Sequence, residues 1–431
     1  MKVLGLDIGT TTVSAVVWEA GQVLSSLTLK NGAFLPAEHS WQRVQDPAYI
    51  EKTALEAVDT LLARHSDVAR IGVTGQMHGI LYLDSTGTPV SPLYTWQDGR
   101  GDLPHPQGGT WSQALSRITG YPCATGFGTV THFYNQANGL VPETAAVICT
   151  IHDYIAMRLS GRTRPVTEAS DAASMGVFHV EKGEFDIAAL EKAGIDPAIL
   201  PQVWRSGSIG DYRGCQVYAG IGDNQASFWG ATQGNREAML VNMGTGSQFC
   251  VYTPRYLSCP GLETRPYPGG GYLLVGASLC GGRAYALLEE FFRQTVKAVT
   301  GAAPDSCYGA MDALLCRMEQ PEDPPMVTPL FEGTREAPSL RGSVENLSAA
   351  NFTPGHLAYA MLEGMARELA KMYRSYLTVG EDPKVLIGAG NGLRKNRHLQ
   401  KSVCRQFGKP LEMSSCVEEA ATGAAMYAAE Q

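Results

Sequence analysis

Apolar positions 3, 4 and 6 lead into Asp7-Ile8-Gly9-Thr10-Thr11-Thr12, after which Val13, Ala15 and Val17 alternate with other residues up to a turn at Glu19-Ala20-Gly21-Gln22. This period-two pattern predicts a hairpin whose first turn is built from glycine and threonine. A second stretch has the same form: residues 239–243 run into Gly244-Thr245-Gly246-Ser247, followed by Gln248, Phe249, Cys250 and Val251. Asp7 aligns with Asn242, Gly9 with Gly244, Thr10 with Thr245 and Thr12 with Ser247 without a gap. An internal repeat at this separation predicts duplicated domains. Strand-like residues 215–219 follow a Gly/Ser-rich stretch, so the division is expected at 219/220, giving domains 1–219 and 220–431.

Helical spacing covers residues 49–64, 284–300 and 356–377, and strand-like runs occupy 70–73, 81–84 and 384–387. Strands alternating with helices in both halves predict an α/β protein of two layered domains. The Pro-rich stretch 321–338 is expected as a surface loop.

Length and composition agree with that picture. The 431 residues exceed one ordinary core. Hydrophobic residues make up 44% of the chain, which excludes a disordered polymer, and no apolar run reaches the roughly 20 residues of a membrane span. With 34 basic and 42 acidic residues the net charge is -8, which leaves no basic footprint for nucleic acid. The N-terminus meets Asp7 and Gly9 before any signal-peptide core could form, so export is not expected. Ten cysteines without a CxxC pair read as reduced, mostly buried thiols, which favours the cytoplasm and argues against zinc. Glycine is the outlier, 48 residues, well above a usual share near 7%.

The glycines gather where chemistry is expected. In both hairpin turns they would let backbone N–H groups approach an anion while Thr and Ser hydroxyls donate further bonds, so paired turns can hold a nucleotide's phosphates. Asp7, just before the first turn, is placed to hold magnesium. A third loop, Gly388-Ala389-Gly390-Asn391-Gly392, follows a strand and is a candidate for adenine or ribose. Residues 418–425 open a helix with a small-residue face, suited to close packing or to a flat adenine surface. Asp223, between Gly222 and a helix start, is the candidate base for a hydroxyl attacking a phosphoryl group. Finally Gly75-Gln76-Met77-His78-Gly79 and Tyr94-Thr95-Trp96-Gln97-Asp98-Gly99-Arg100 concentrate the groups that hydrogen-bond sugar hydroxyls and stack on a sugar face.

These motifs, in this order, resemble the FGGY carbohydrate kinases, a branch of the actin, hexokinase and Hsp70 superfamily, from Leu4 to about Ala428. The resemblance implies two RNase H-like domains flanking a catalytic cleft, with ATP and magnesium as co-substrates. It implies phosphate contacts at Thr10, Thr11 and Thr12 and at Gly244, Thr245, Gly246 and Ser247, a catalytic base at Asp223, a nucleotide loop at Gly388, Ala389, Gly390 and Asn391, and magnesium at Asp7. Gln76, Met77, His78, Trp96, Asp98, Arg100 and Asn224 are the implied substrate-binding residues. Gln76 to Gly79 is similar to the xylulokinase motif, whereas Gln97-Asp98 is similar to sedoheptulokinases, the seven-carbon ketose kinases, as is residues 328–335. No Lys or Arg follows the first turn, so phosphate charge there must be offset by magnesium or by another residue. The implied partners are a small ketose and ATP, with no nucleic acid or membrane, for a monomer or homodimer. A pentulose kinase, and a non-catalytic ATP-binding or sugar-binding protein, are the alternatives.

Overall fold

Lys2–Ile8 (β1), Thr12–Glu19 (β2) and Gln22–Lys30 (β3) form an antiparallel meander in a computed structural model that describes residues 1–334, 337 and 339–431. The alternating burial of β3 marks a strand with one solvent face, while β1 is buried along most of its length. Helix α1 (Pro47–Arg64) explains half of that burial. Asp46 caps it by accepting the Ala48 N–H, Pro47 opens it, and Ile50, Ala54, Ala57 and Leu61 share a core with Leu4, Leu6 and Ile8. Val68–Gly75 (β4) lies parallel to β1, and after helix α2 (Ile151–Leu159) the strands Ser208–Tyr212 (β5), Cys215–Tyr218 (β6) and Ile221–Gly222 (β7) complete a seven-stranded sheet in the order β5-β6-β4-β1-β2-β3, with β7 also paired to β4.

The second sheet repeats the plan. Ala238–Met243 (β8) and Ser247–Thr253 (β9) form the second Gly/Thr hairpin, Glu263–Pro266 (β10) and Tyr272–Ser278 (β11) extend it, and Val385–Ala389 (β12) runs parallel to β8, followed by Leu411–Met413 (β13). The order is β10-β11-β9-β8-β12-β13. Both sheets place a parallel strand beside the first strand of a hairpin, the RNase H-like arrangement the resemblance implies. The repeat is looser than its sequence. Ile8 faces Val13 across the first turn but Met243 faces Ser247, so the second turn is one residue tighter.

The chain forms two compact units, residues 1–234 with 265–272 and 416–431, and residues 235–264 with 273–415. The division expected at 219/220 precedes this boundary because Ile221–Gly222 pairs with β4 of the first sheet. Helix α3 (Asp223–Thr232) follows in the same unit. In the second unit helices α4 (Gly282–Thr300), α5 (Tyr308–Arg317), α6 (Pro354–Tyr376) and α7 (Arg397–Phe407) surround the core of Met239, Val241, Phe249, Leu369 and Val403. Part of the Pro-rich stretch departs from a loop: Met326–Thr328 pairs with Ser343–Glu345, and Val327 is buried against α6. Arg335, Glu336 and Pro338, expected in that loop, lie outside the described residues.

The last helix, α8 (Glu419–Glu430), belongs to the first unit. Gly5 and Gly72 sit side by side in register on β1 and β4, and a Cβ on either would fall 1.8 and 2.0 Å from the carbonyl oxygens of Ala421 and Ala424. Gly423 meets the Ala226 carbonyl of α3 just as closely, at 1.8 Å. The small-residue face of 418–425 therefore serves backbone-to-backbone packing on the sheet and α3. The adenine-surface expectation is corrected: that face is covered. Gly423→Val is expected to destabilise the protein by about 3 kcal/mol or to prevent soluble folding, because the contacted atoms are backbone and cannot yield. A melting temperature within 2 °C of the parent, on the usual scale for such domains, would contradict this packing.

Candidate active site

Three parallel strands deliver the first group of residues to one sheet edge. Asp7 of β1 pairs with Thr74 of β4, and Ile221 of β7 pairs with the same Thr74. Gln76 follows β4 and Asp223 follows β7, so Asp7, Gln76 and Asp223 all emerge at the carboxyl ends of parallel strands, where α/β sheets commonly bind ligands. The Thr74 hydroxyl donates to the Ile221 carbonyl at 2.7 Å, and the Gly222 N–H donates to Ser170 Oγ at 3.1 Å. The backbone immediately before Asp223 is thus fixed from two sides.

Electrostatics sets this group apart. Burial pushes the Asp223 carboxyl up to about 6, against the opposing pull of His152 and Arg265 and of the Asn224 backbone N–H bonded to it. Asp7 is pushed up to about 7, by burial first and then by the charges of Asp223 and Glu418. Asn224, the next residue of α3, is buried.

The first turn is tied into this edge by side chains. The Thr10 hydroxyl donates to Gln76 Oε1 at 3.2 Å and accepts from Trp96 Nε1 at 3.0 Å, while Gln76 Nε2 donates to Gln45 Oε1 at 2.8 Å. That hydroxyl, expected on phosphate, is engaged within the protein. Thr11 and Thr12 are exposed. Met77 is buried with its thioether against Gly222, where a Cβ would fall 2.7 Å from Cε. His78 has φ of 75°, an uncommon left-handed conformation for a non-glycine residue, and Ser174 supports it twice. The His78 backbone N–H donates to Ser174 Oγ at 3.0 Å, and Nδ1 lies 2.7 Å from the Ser174 carbonyl. A carbonyl only accepts, so Nδ1 carries the proton. The ring stacks on Phe127 at 4.7 Å.

Trp96 is 44% exposed, but Asp98 and Arg100 are turned inward at 0% and 2%. Arg100 Nε donates to Asp98 Oδ1 at 2.6 Å, Nη1 bonds Asn135, and the guanidinium lies 4.1 Å from the Tyr94 ring centre. Asp98 Oδ2 also accepts the Arg43 N–H at 3.1 Å. This pair holds the loop that presents Trp96.

The second group lies in the other unit. Glycines there pack loop against loop: Gly282 N–H donates to the Gly244 carbonyl at 2.9 Å, and Gly281 and Arg283 both donate to the Thr245 carbonyl. Gly390, at φ 86°, approaches Met243 so closely that a Cβ would fall 2.5 Å from its carbonyl oxygen. Beside these turns is a cavity of about 1010 Å³, whose walls include Gly244, Thr245, Arg283, Tyr285, Asn391 and Lys395. Its size suits a nucleotide. Two pairs of the expected residues stand apart from this cavity. Gly388 and Ala389 are strand residues of β12, packed between β8 and β13, so the loop that lines the cavity is 390–392. Gly246 and Ser247 do not line it either: Gly246 packs against Gly281, and Ser247 is buried at the start of β9.

Several participants escaped the sequence reading. His152 and Asp171, both fully buried and 3.0 Å apart, both act on the charge of Asp223, and His152 acts on Asp7 as well. Ser170, Ser174 and Arg265 carry no motif. Gly281-Gly282-Arg283 could have been found, since it is another glycine pair at a helix start.

The model for the N-terminal domain of the FGGY family of carbohydrate kinases matches residues 2–238, and that for the C-terminal domain matches residues 239–431. The chain is 30% identical to a sedoheptulokinase of Mus musculus, over 98% of this chain and 96% of that one. It is 28% identical to the sedoheptulokinase of Homo sapiens over the same shares. The crystal structure of xylulose kinase from Rhodospirillum rubrum matches with a TM-score of 0.84 at 23% identity, over 100% of this chain and 89% of that one, which is a likeness of fold.

Proposed function

Because the chain belongs to the FGGY family of carbohydrate kinases, we propose that it transfers the γ-phosphoryl group of ATP to a terminal hydroxyl of a ketose, with sedoheptulose giving sedoheptulose 7-phosphate as the leading reaction. The observation that carries this reading is the convergence of a desolvated Asp223 with Gln76, Met77, His78 and Trp96 around the ends of parallel strands. Asp223 accepts the proton of the attacking hydroxyl, which requires position and an ionised carboxylate. His78, protonated at Nδ1 by its bond to Ser174, is the imidazole placed against the sugar, and Trp96 offers an exposed ring face. The resemblance to two sedoheptulokinases along nearly the whole chain supports a seven-carbon substrate.

The glycine-loop cavity is the nucleotide site of this proposal, with Gly244, Thr245, Gly390 and Asn391 against ATP. Arg283 and Lys395 supply positive charge there. The carboxylates fit magnesium: after burial, the charges of Asp223 and Glu418 raise the Asp7 pKa, and a divalent cation would offset that repulsion. When bound, magnesium offsets phosphate charge; Asp7 is the residue that would hold it. The first turn contributes backbone and the exposed Thr11 and Thr12 hydroxyls, since the Thr10 hydroxyl is engaged. Asp98 and Arg100 act on substrate through the position of Trp96.

Release of ADP with sedoheptulose, xylulose, ribulose and fructose at equal concentrations tests the substrate. Sedoheptulose is expected to show the highest kcat/KM. A much higher value for xylulose would replace the assignment with a pentulose kinase and leave the mechanism standing.

The pH profile follows from Asp223. Its pKa is raised, and the base must be ionised, so kcat/KM is expected to rise about tenfold per pH unit below about pH 6 and to level above it. An acid limb near the ordinary carboxylate value, close to 4, would show that the rate-determining base is not this desolvated group.

A further inference from the structure

Helix α5 and the start of α7 bring Asp312, Cys316 and His398 together at the surface of the second unit. Asp312 and Cys316 are one turn apart on the same helix face, and the Asn396 cap accepts the His398 N–H at 3.0 Å, which fixes the ring's approach. Cys316 Sγ lies 3.6 Å from Asp312 Oδ2 and 3.6 Å from His398 Nε2, and that nitrogen lies 3.2 Å from Asp312 Oδ1. Usual zinc bond lengths in a tetrahedron give edges of about 3.6 Å for pairs that include sulfur and about 3.3 Å between nitrogen and oxygen. The sulfur–nitrogen separation matches such an edge, and the Asp312 carboxylate brings one oxygen towards each of the other two donors, so all three residues are within reach of a shared ion. A cation already rests on them: Arg397 Nη2 is 2.6 Å from Sγ and 3.7 Å from Asp312 Oδ2.

We propose that Asp312, Cys316 and His398 bind a divalent transition metal of the zinc class, with water at the fourth vertex. On binding, the Cys316 thiol gives its proton to solvent as the sulfur–metal bond forms, and the exposed Arg397 side chain swings away, losing a surface contact worth only about 0–1 kcal/mol. A thiolate, imidazole and carboxylate set selects zinc over magnesium or calcium. Asp312 also lines the glycine-loop cavity, so the site lies on its rim. Cys316 and His398 are 82 residues apart, which is why cysteine spacing argued against zinc.

Chelator-treated, desalted protein titrated with zinc against a chromogenic chelator tests this, with cobalt(II) absorption as a second readout. The wild type is expected to bind one equivalent and to show a thiolate-to-cobalt charge-transfer band. Cys316→Ser, exposed and outside the proposed catalytic machinery, is expected to keep the parent's melting temperature and activity. It should lose the band and weaken zinc at least ~10-fold, since even outer-shell partners contribute that much. No stoichiometric zinc uptake by the wild type, or uptake and a cobalt band unchanged in both Cys316→Ser and His398→Ala, would overturn the proposal.

Discussion

Asp223→Asn is expected to lower kcat by at least ~10²- to 10⁴-fold, the usual contribution of a positioned general base, without loss of fold. The amide keeps the shape at the start of α3 but cannot accept the hydroxyl proton. Stability should move the other way. The carboxyl's pKa in the folded protein is raised to about 6, so the folded state holds its proton more tightly than the unfolded chain does. The stability this group contributes is complete below the ordinary carboxylate range and is lost as pH rises through about 6. At neutral pH the neutral amide avoids that loss, so the variant should melt no lower than the parent, with its advantage fading in acid. A folded Asp223→Asn protein that retains more than a tenth of parental turnover would remove Asp223 from the role. A variant that melts much lower would mean that the carboxylate is structural.

Arg100→Ala is expected to have a large effect on stability. It strands the Asp98 carboxylate at 0% exposure, leaving one charge of a buried pair with only the backbone N–H groups of residues 43 and 100 for compensation. Breaking such pairs typically costs about 3–5 kcal/mol, and the guanidinium's packing among Tyr94, Trp41 and Tyr134 is lost with it. For a unit of this size the melting temperature should fall by roughly 6–20 °C. Because this pair holds the Trp96 loop, the KM for sugar should rise more than kcat falls. The double variant Asp98→Asn with Arg100→Met should recover much of the stability, since it removes both charges. Equal stabilities for Arg100→Ala and the parent would show that the pair is not the anchor of the loop.

The two Gly/Thr hairpins could be read from the chain because period-two alternation and turn residues are local signals, and both are present with their parallel third strands. The helices expected at 49–64, 284–300 and 356–377 appear with ends moved by one or two residues. Other features depend on contacts distant in sequence. The return of α8 to the first sheet is decided by Gly5, Gly72 and Gly423, whose partners lie far away in the chain, and Ile221–Gly222 pairs with β4 across a similarly long separation. Asp98 and Arg100 looked like ligand groups because charge in a loop ordinarily faces solvent; three aromatic rings and Asn135 turn them inward. Gly388 and Ala389 looked like loop because glycine follows a strand, but the strand continues through them to pair with β8 and β13. His152 and Asp171 stand outside any spacing motif, and only the fold brings their charges to bear on Asp223.

Mass spectrometry can follow phosphoryl transfer itself in a mixture of the purified protein, ATP, magnesium and sedoheptulose. The expected product is a sedoheptulose monophosphate, phosphorylated at the terminal hydroxyl, formed in step with ADP and absent with Asp223→Asn. ADP without any sugar phosphate, or neither product with any ketose supplied, would contradict the proposed reaction.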